Sequence, residues 1–600
     1  MTETLVKPVA NSRVLLLLIL LLAFGLRVYK SGSYGLYLDE KYTMIIAQGI
    51  AMGGANQQDV FYKPGKSYFT PQEFWKPKTL ADFIEANIRG DIGNSPVYYG
   101  ILWVWMQVFG MSDFAVRLPS VIISTLTVAL VFIFVKKHLK SESLAALCAF
   151  LAAIEPFFVA YSHMARNYSL SFFLTLLSTH VFLLIVGRFQ NRISLSGRAT
   201  PVGWLYAGYG LLFTLAVLSH YLTVTVFLCH GLYLLFFVRN APTWRNLAIT
   251  YVLALVPIVL WFVYGGGKYT FKTLAHQAQL YKQVALTNPT TNKFGLILPA
   301  TLSNVVNRSL PIGSDLFTVT NGLGSPALGD RNRLMAFILG VVAAFLVHRY
   351  RRQQSVAVWV SMALAGLLLA GALVATIFSL QLVVMALAPL LVYLLYVNLN
   401  ENRLAASRQL LIFLAMLTLI PTLFLILMAF RSGHTYGITQ RYSGFSFPYA
   451  IIFVAFAIRE VWFLPQSFRL IIGAVLLVQL GYIIQLLVRI YQDRDPKYTY
   501  FTRPRIANPY STSAQRIREL YTEGDTVLYP SIRLRPVDEI EKTLSPYSIE
   551  DAQLTNLYLP RNAQYLQRMD TTQTDRIILV KGRSGQQLTI FDFKGTTYRY

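Results

Sequence analysis

Long apolar runs separated by short basic loops dominate the chain. Each run is near the ~20 residues that an α-helix needs to cross a hydrocarbon layer. They fall at 14–29, 118–135, 144–160, 168–186, 202–218, 222–238, 247–264, 334–347, 356–375, 380–397, 410–430, 442–458 and 470–488. The pattern predicts a polytopic α-helical membrane protein with about thirteen transmembrane helices. Another apolar stretch, Pro96–Phe109, is rich in Trp and Tyr and spans only roughly 21 Å as a helix, so it is expected to lie at the interface.

Lys and Arg fix the orientation. Lys7 and Arg13 precede the first run, and Lys136, Lys137, Lys140, Arg188, Arg239, Arg349, Arg408 and Arg459 fall in loops that this threading places on one side. The positive-inside rule makes that side the inner one. Three long polar pieces then face outward: a first loop at 31–116, a second at 265–333 and a C-terminal tail. The reading divides the chain into a membrane module, 1–488, and an extracytoplasmic domain, 489–600. In the tail, Ser511 and Thr512 precede an amphipathic run. Thr526–Tyr529 reads as a strand, and 576–580 with 587–591 as a hairpin about Gly582–Gly585, together a small α/β domain.

Composition narrows the class. The 600 residues are 55% hydrophobic and 14% charged, with a net charge of +25. The basic excess sits beside apolar runs, where inner-face topology explains it without nucleic acid. Cys148 and Cys229 both lie inside apolar runs, with no metal-ligand spacing and no sign of a disulfide framework.

Chemistry-bearing residues collect at the outer ends of the runs. Asp39 and Glu40 follow the first run in an aromatic setting, and Glu155 lies near an outer span end, where an ionisable group points to a cavity or a partner. Arg117, His163, Arg166, Tyr168, His220, Tyr221, Arg441 and Tyr442 share that face, with Asn94 in the first loop. Arginine forks suit a phosphate, an apolar groove suits a long lipid tail, and a carboxylate can take a proton from an attacking hydroxyl. A divalent cation could sit among the acids and a histidine, but no spacing requires one. Two other classes stay open: a lipid or glycan transporter, and a non-catalytic scaffold whose tail binds a partner.

The order Asp39-Glu40, Asn94-Ser95-Pro96-Val97-Tyr98-Tyr99, Phe109-Gly110 and Phe114-Ala115-Val116-Arg117-Leu118-Pro119-Ser120 resembles the GT-C glycosyltransferases of the protein O-mannosyltransferase-like family. His163-Met164-Ala165-Arg166-Asn167-Tyr168, Ser219-His220-Tyr221 and Arg441-Tyr442 add to the resemblance, and lipid A aminoarabinose transferases belong to the same broad group. It covers roughly the first 240 residues and the Arg441 patch. It implies an inverting transferase that moves a sugar from a polyprenyl phosphate to a lipid, glycan or protein acceptor, at the periplasmic face of a bacterial inner membrane. Asp39 would be the base and Glu40 its helper. Arg117, Arg166 and Arg441 would bind the donor phosphate, with Glu155, His163, Tyr168, His220, Tyr221, Tyr442 and Asn94 around them. Many relatives carry His or Lys before a Pro-Pro pair where this chain has Asn94-Ser95-Pro96; Lys63 or Lys66 is the candidate to replace that contact.

Overall fold

The computed structural model describes residues 12–51, 66–90, 95–189, 202–291, 295–322, 329–351, 358–374, 387–401, 407–494, 504–530, 534–536, 544–570 and 575–596. The chain opens with α1 (Ser12–Val28). The first outer segment holds α2 (Leu38–Ala47), α3 (Pro71–Phe74), α4 (Leu80–Gly90) and α5 (Pro96–Phe109). A bundle follows: α6 (Asp113–His138), α7 (Glu142–Ile154), α8 (Pro156–Ser162), α9 (Tyr168–Phe189), α10 (Val202–Ser219), α11 (Val224–Phe237) and α12 (Ala241–Tyr264). The second outer segment forms α13 (Thr270–Thr287) and α14 (Leu302–Asp315). The bundle resumes with α15 (Asp330–Tyr350), α16 (Val358–Val374), α17 (Leu387–Asn400), α18 (Arg408–Ser432), α19 (Gln440–Ser443), α20 (Phe447–Val461) and α21 (Gln466–Tyr491).

The chain is a multi-pass membrane protein. Among the described residues six helices are long and apolar enough to cross a membrane, or seven if the bent pair α7–α8 counts as one span. Among the described residues, helices fall within the expected spans, but several are short: α1 has 17 residues and α17 has 14. The expected count of thirteen is therefore not reached by helices of full spanning length among the described residues. The expected span at 144–160 is broken by 54° between Ile154 and Pro156. Proline cannot donate its backbone N–H and disfavours helical backbone at the residue before it, and here Glu155 is extended.

The break is closed from two sides. Arg27, buried in α1, donates to the carbonyls of Ala152 (3.0 Å) and Ala153 (2.9 Å) and to Ser124 Oγ (2.8 Å). It thereby satisfies carbonyls at the end of α7 that a continuous helix would have bonded itself. Glu155 caps α8, accepting from Phe157 N, and receives the Thr318 hydroxyl from the second outer segment.

Deeper in the bundle a neutral network joins five helices. Tyr251 meets Tyr209 (2.6 Å), Tyr209 meets His230 Nδ1 (2.8 Å), and His230 Nε2 meets Thr179 Oγ1 (3.1 Å). Tyr449 also reaches Thr179 (2.7 Å), whose own hydroxyl donates to the Thr175 carbonyl. That last bond fixes the direction of the rest: Nε2 of His230 carries the proton and Nδ1 accepts from Tyr209.

Beyond the bundle lie α22 (Pro509–Leu520) and α23 (Tyr547–Asn556) with a four-stranded sheet. β1 (Thr526–Pro530) pairs in parallel with β4 (Leu566–Asp570) and antiparallel with β5 (Arg576–Val580), which forms the expected hairpin with β6 (Gln587–Asp592). Short β2 (Leu534–Pro536) and β3 (Leu544–Pro546) pair separately. The cap of α22 is not Ser511 or Thr512 but Asn508, whose side chain accepts from Tyr510 N and Ser511 N, with Pro509 at the first helical position. This unit sits on the first outer segment. Phe69 and Gln567 exchange both backbone hydrogen bonds at 2.9 Å, and Trp75 Nε1 donates to the Asn556 carbonyl.

Candidate active site

Asp39 and Glu40 are neighbours in α2 with opposite surroundings. Tyr37 caps this helix, and its backbone N–H donates to Glu40 Oε2 (3.0 Å). The Glu40 side chain is fully buried and gripped by Arg117, with Nε on Oε1 and Nη2 on Oε2, each at 2.8 Å. Oε1 also accepts from Ala165 N (2.8 Å), at the turn that carries Arg166. The rest of the Arg117 fork donates to the carbonyls of Ser31, Tyr34 and Gly35. All five N–H groups of Arg117 are thus occupied inside the protein, so the expectation that it binds a phosphate is corrected to an architectural role. Glu40 is likewise corrected from helper acid to the other half of a buried pair. Burial raises the Glu40 pKa, but the charge and hydrogen bonds of Arg117, the charge of Arg505 and the Ala165 N–H outweigh it and hold the carboxyl below its ordinary range.

Arg505 was not anticipated. It lies beyond the last span, forks onto Asp493 at 3.0 Å, donates to the Gly35 carbonyl (3.0 Å) and comes within 3.6 Å of Glu40. Its sequence signal is faint, because one arginine in a polar tail resembles any other. Arg27 left a clearer one: an arginine at the outer end of an apolar helix runs against the charge bias that orients the chain.

Asp39 faces the other way, and its side chain keeps 34% of its exposure. Its Oδ2 accepts from Tyr37 Oη (3.1 Å) and lies 3.6 Å from Arg441. Arg166 approaches the same corner, donating to Thr43 Oγ1 (2.8 Å) and to the Asp39 carbonyl (3.3 Å). Arg441 lies over the Tyr442 ring at 5.0 Å. His220 packs against Tyr168, Tyr442 and Phe445, while its Nδ1 accepts from Leu222 N. Burial, with the charges of Arg166 and Arg441, pushes the His220 pKa down to about 3, so its ring is neutral at pH 7. The structure therefore brings together Asp39, Arg166, Arg441, Tyr168, His220 and Tyr442.

The remaining candidates fall elsewhere. Glu155 is fully buried at the α7–α8 break and serves as a cap. His163 lies on the far side of Arg117 near Tyr491, its pKa pushed down to about 3 by burial and then by Arg117. Tyr221 packs on Phe262. Lys66 pairs with Glu73 within the first outer segment. Asn94 and Lys63 lie outside the described residues. Among the described residues no three His, Cys, Asp or Glu side chains are grouped to hold a metal ion.

The corner combines a half-exposed carboxylate, two arginines and an aromatic wall at the outer ends of membrane helices. Residues 93–263 match the family described as dolichyl-phosphate-mannose-protein mannosyltransferase, and over that stretch the resemblance read from the sequence is borne out. A comparison with curated proteins found no match. Among solved structures, the oligosaccharyltransferase AglB of Archaeoglobus fulgidus, in complex with an inhibitory peptide and a dolichol-phosphate, is 14% identical with a TM-score of 0.40. That alignment takes in 85% of this chain but only 58% of the archaeal one. ArnT of Cupriavidus metallidurans, bound to undecaprenyl phosphate, is 13% identical with a TM-score of 0.36, over 93% of this chain and 86% of that one.

Proposed function

We propose that the chain is an inverting membrane glycosyltransferase that moves a sugar from a polyprenyl phosphate to an acceptor on the outer face, periplasmic in a bacterium. The observation that carries this reading is the Asp39 corner: a carboxylate open to solvent with Arg441 3.6 Å away and Arg166 on its backbone. The family match at 93–263 supports it, since that stretch includes Arg166, Tyr168 and His220.

The proposed reaction is a single displacement. An acceptor hydroxyl oxygen bonds to the anomeric carbon while the bond from that carbon to the phosphate oxygen breaks, which inverts the centre. The proton passes to Asp39. The negative charge that develops on the departing phosphate is met by Arg166 and Arg441, whose forks match phosphate geometry and keep their charge. Glu40 and Arg117 hold α2 so that Asp39 points outward. Asp39→Asn is expected to lower transfer by about 10²–10⁴-fold, as for loss of a general base, while membrane insertion and unfolding temperature stay at wild-type values. Full transfer by that variant would overturn the assignment.

One observation favours a transporter instead: the broken α7–α8 helix, since such breaks form substrate sites in transporters. Here, however, Arg27 and Thr318 already engage the carbonyls and the acid at the break. Movement of labelled lipid across liposomes without product would favour that second reading.

A further inference from the structure

The second outer segment has a surface that the proposed reaction does not use. Along α14, Leu302, Val306 and Leu310 form a stripe at intervals of four residues and are 72%, 50% and 45% exposed. A different side of that helix, with Val305 and Ile312, packs against Ala429 and Ile438. On α13, Phe271 and Leu286 are 71% and 67% exposed. Helices outside a bundle rarely present such rows to water, and two adjacent ones call for an apolar cover.

Continuity and charge say what covers them. The outward row of α12, with Val252, Val256, Val259 and Val263 all 47–65% exposed, is the lipid-facing side of a span. It runs on into α13, where Phe271 stacks on Phe262 with centroids 5.3 Å apart. The charge is one-signed: no Asp or Glu occurs between Glu155 and Asp315, whereas Lys268, Lys272 and Lys282 lie on this segment and are exposed. A soluble protein partner would meet a mixed rim in most cases. A helix that carries an exposed apolar arc together with lysines in and beside it fits the headgroup boundary of a bilayer that carries anionic lipid, where long lysine stems reach to the phosphates.

We propose that α13 and α14 form a shelf set into the outer leaflet, with the Phe271 and Leu302 sides among the acyl chains and the lysines on the phosphates of anionic phospholipids. The shelf is joined to the candidate site, because Asp315 at the end of α14 accepts from the Gln440 side chain, next to Arg441. The proposal does not depend on the proposed transferase activity.

Spin labels test it. Cys148 and Cys229 are buried, so Phe271→Cys, Leu302→Cys and, as a water-exposed reference, Gln587→Cys can be labelled in the full chain. The labelled proteins are placed in nanodiscs of phosphatidylcholine with or without phosphatidylglycerol. Labels at 271 and 302 are expected to relax with oxygen rather than with a water-soluble nickel complex, the reverse of the label at 587. In the mixed discs, native mass spectrometry of the Lys272→Gln/Lys282→Gln variant is expected to show at least about a fivefold loss of retained phosphatidylglycerol, the scale for one lysine at an anionic surface. Labels at 271 and 302 that behave like the one at 587 would overturn the shelf. Insertion with unchanged phosphatidylglycerol retention would overturn its anionic specificity.

Discussion

The Glu40 corner and the His230 network are both buried hydrogen-bond systems, yet they handle polarity in opposite ways. The network in the bundle is wholly neutral, and its chain of hydroxyls and one imidazole ends on a backbone carbonyl. The outer corner keeps formal charge, and Glu40 and Arg117 answer each other with three carbonyls closing the fork. Neutral groups tie helices together at little desolvation cost. Paired ions are costlier to bury, but they fix α2 in one orientation and leave the residue before Glu40, Asp39, turned outward.

That contrast can be broken by measurement. Arg117→Ala leaves Glu40 as an uncompensated buried charge and is expected to cost about 3–5 kcal/mol, read as a large drop in the unfolding temperature of the detergent-solubilised protein. His230→Leu takes the acceptor from the Tyr209 hydroxyl and is expected to cost about 1–3 kcal/mol by the same assay. If the second loss exceeded the first, the ionic corner would not be the stiffer of the two. Acid sharpens the distinction. His163 and His220 have folded pKa values below the ordinary 6.5, so the unfolded chain takes up their protons first and stability falls as pH drops below about 6.5. Glu40, held below its ordinary 4.5, adds a further loss as pH falls beneath that value, and Glu40→Gln should remove only this lower part of the profile. The smallest effect is expected at the exposed Lys136–Glu142 pair, where Lys136→Ala should change stability by less than about 1 kcal/mol.

Hydropathy made much of the fold legible. The bounds of α5 coincide with the apolar stretch Pro96–Phe109, and the C-terminal hairpin falls where alternating residues flank Gly582 and Gly585. The break at Pro156 was signalled by the proline but hidden by the apolar run around it. At the site, residue types pointed to one shared end of the helices, and Asp39, Arg166, Arg441, Tyr168, His220 and Tyr442 do meet. Their partners were not legible. Nothing local distinguishes Arg117, whose fork is filled by residues 31–40, from Arg441, which lies beside Asp39. A contact such as Arg505 to Gly35 spans 470 positions, beyond any local pattern.

That separation also sets a timetable. Arg505 leaves the ribosome 465 residues after Glu40, which at typical synthesis rates of ~5–20 residues per second is a wait of roughly 20–90 s. The Phe69–Gln567 pairing waits longer still. For that interval the first outer segment lacks the tail on which it rests, and the Glu40–Arg117 pair stands without Arg505 beside it. A nascent chain stalled after its final span would carry the Glu40–Arg117 pair without the Arg505 contacts beside it.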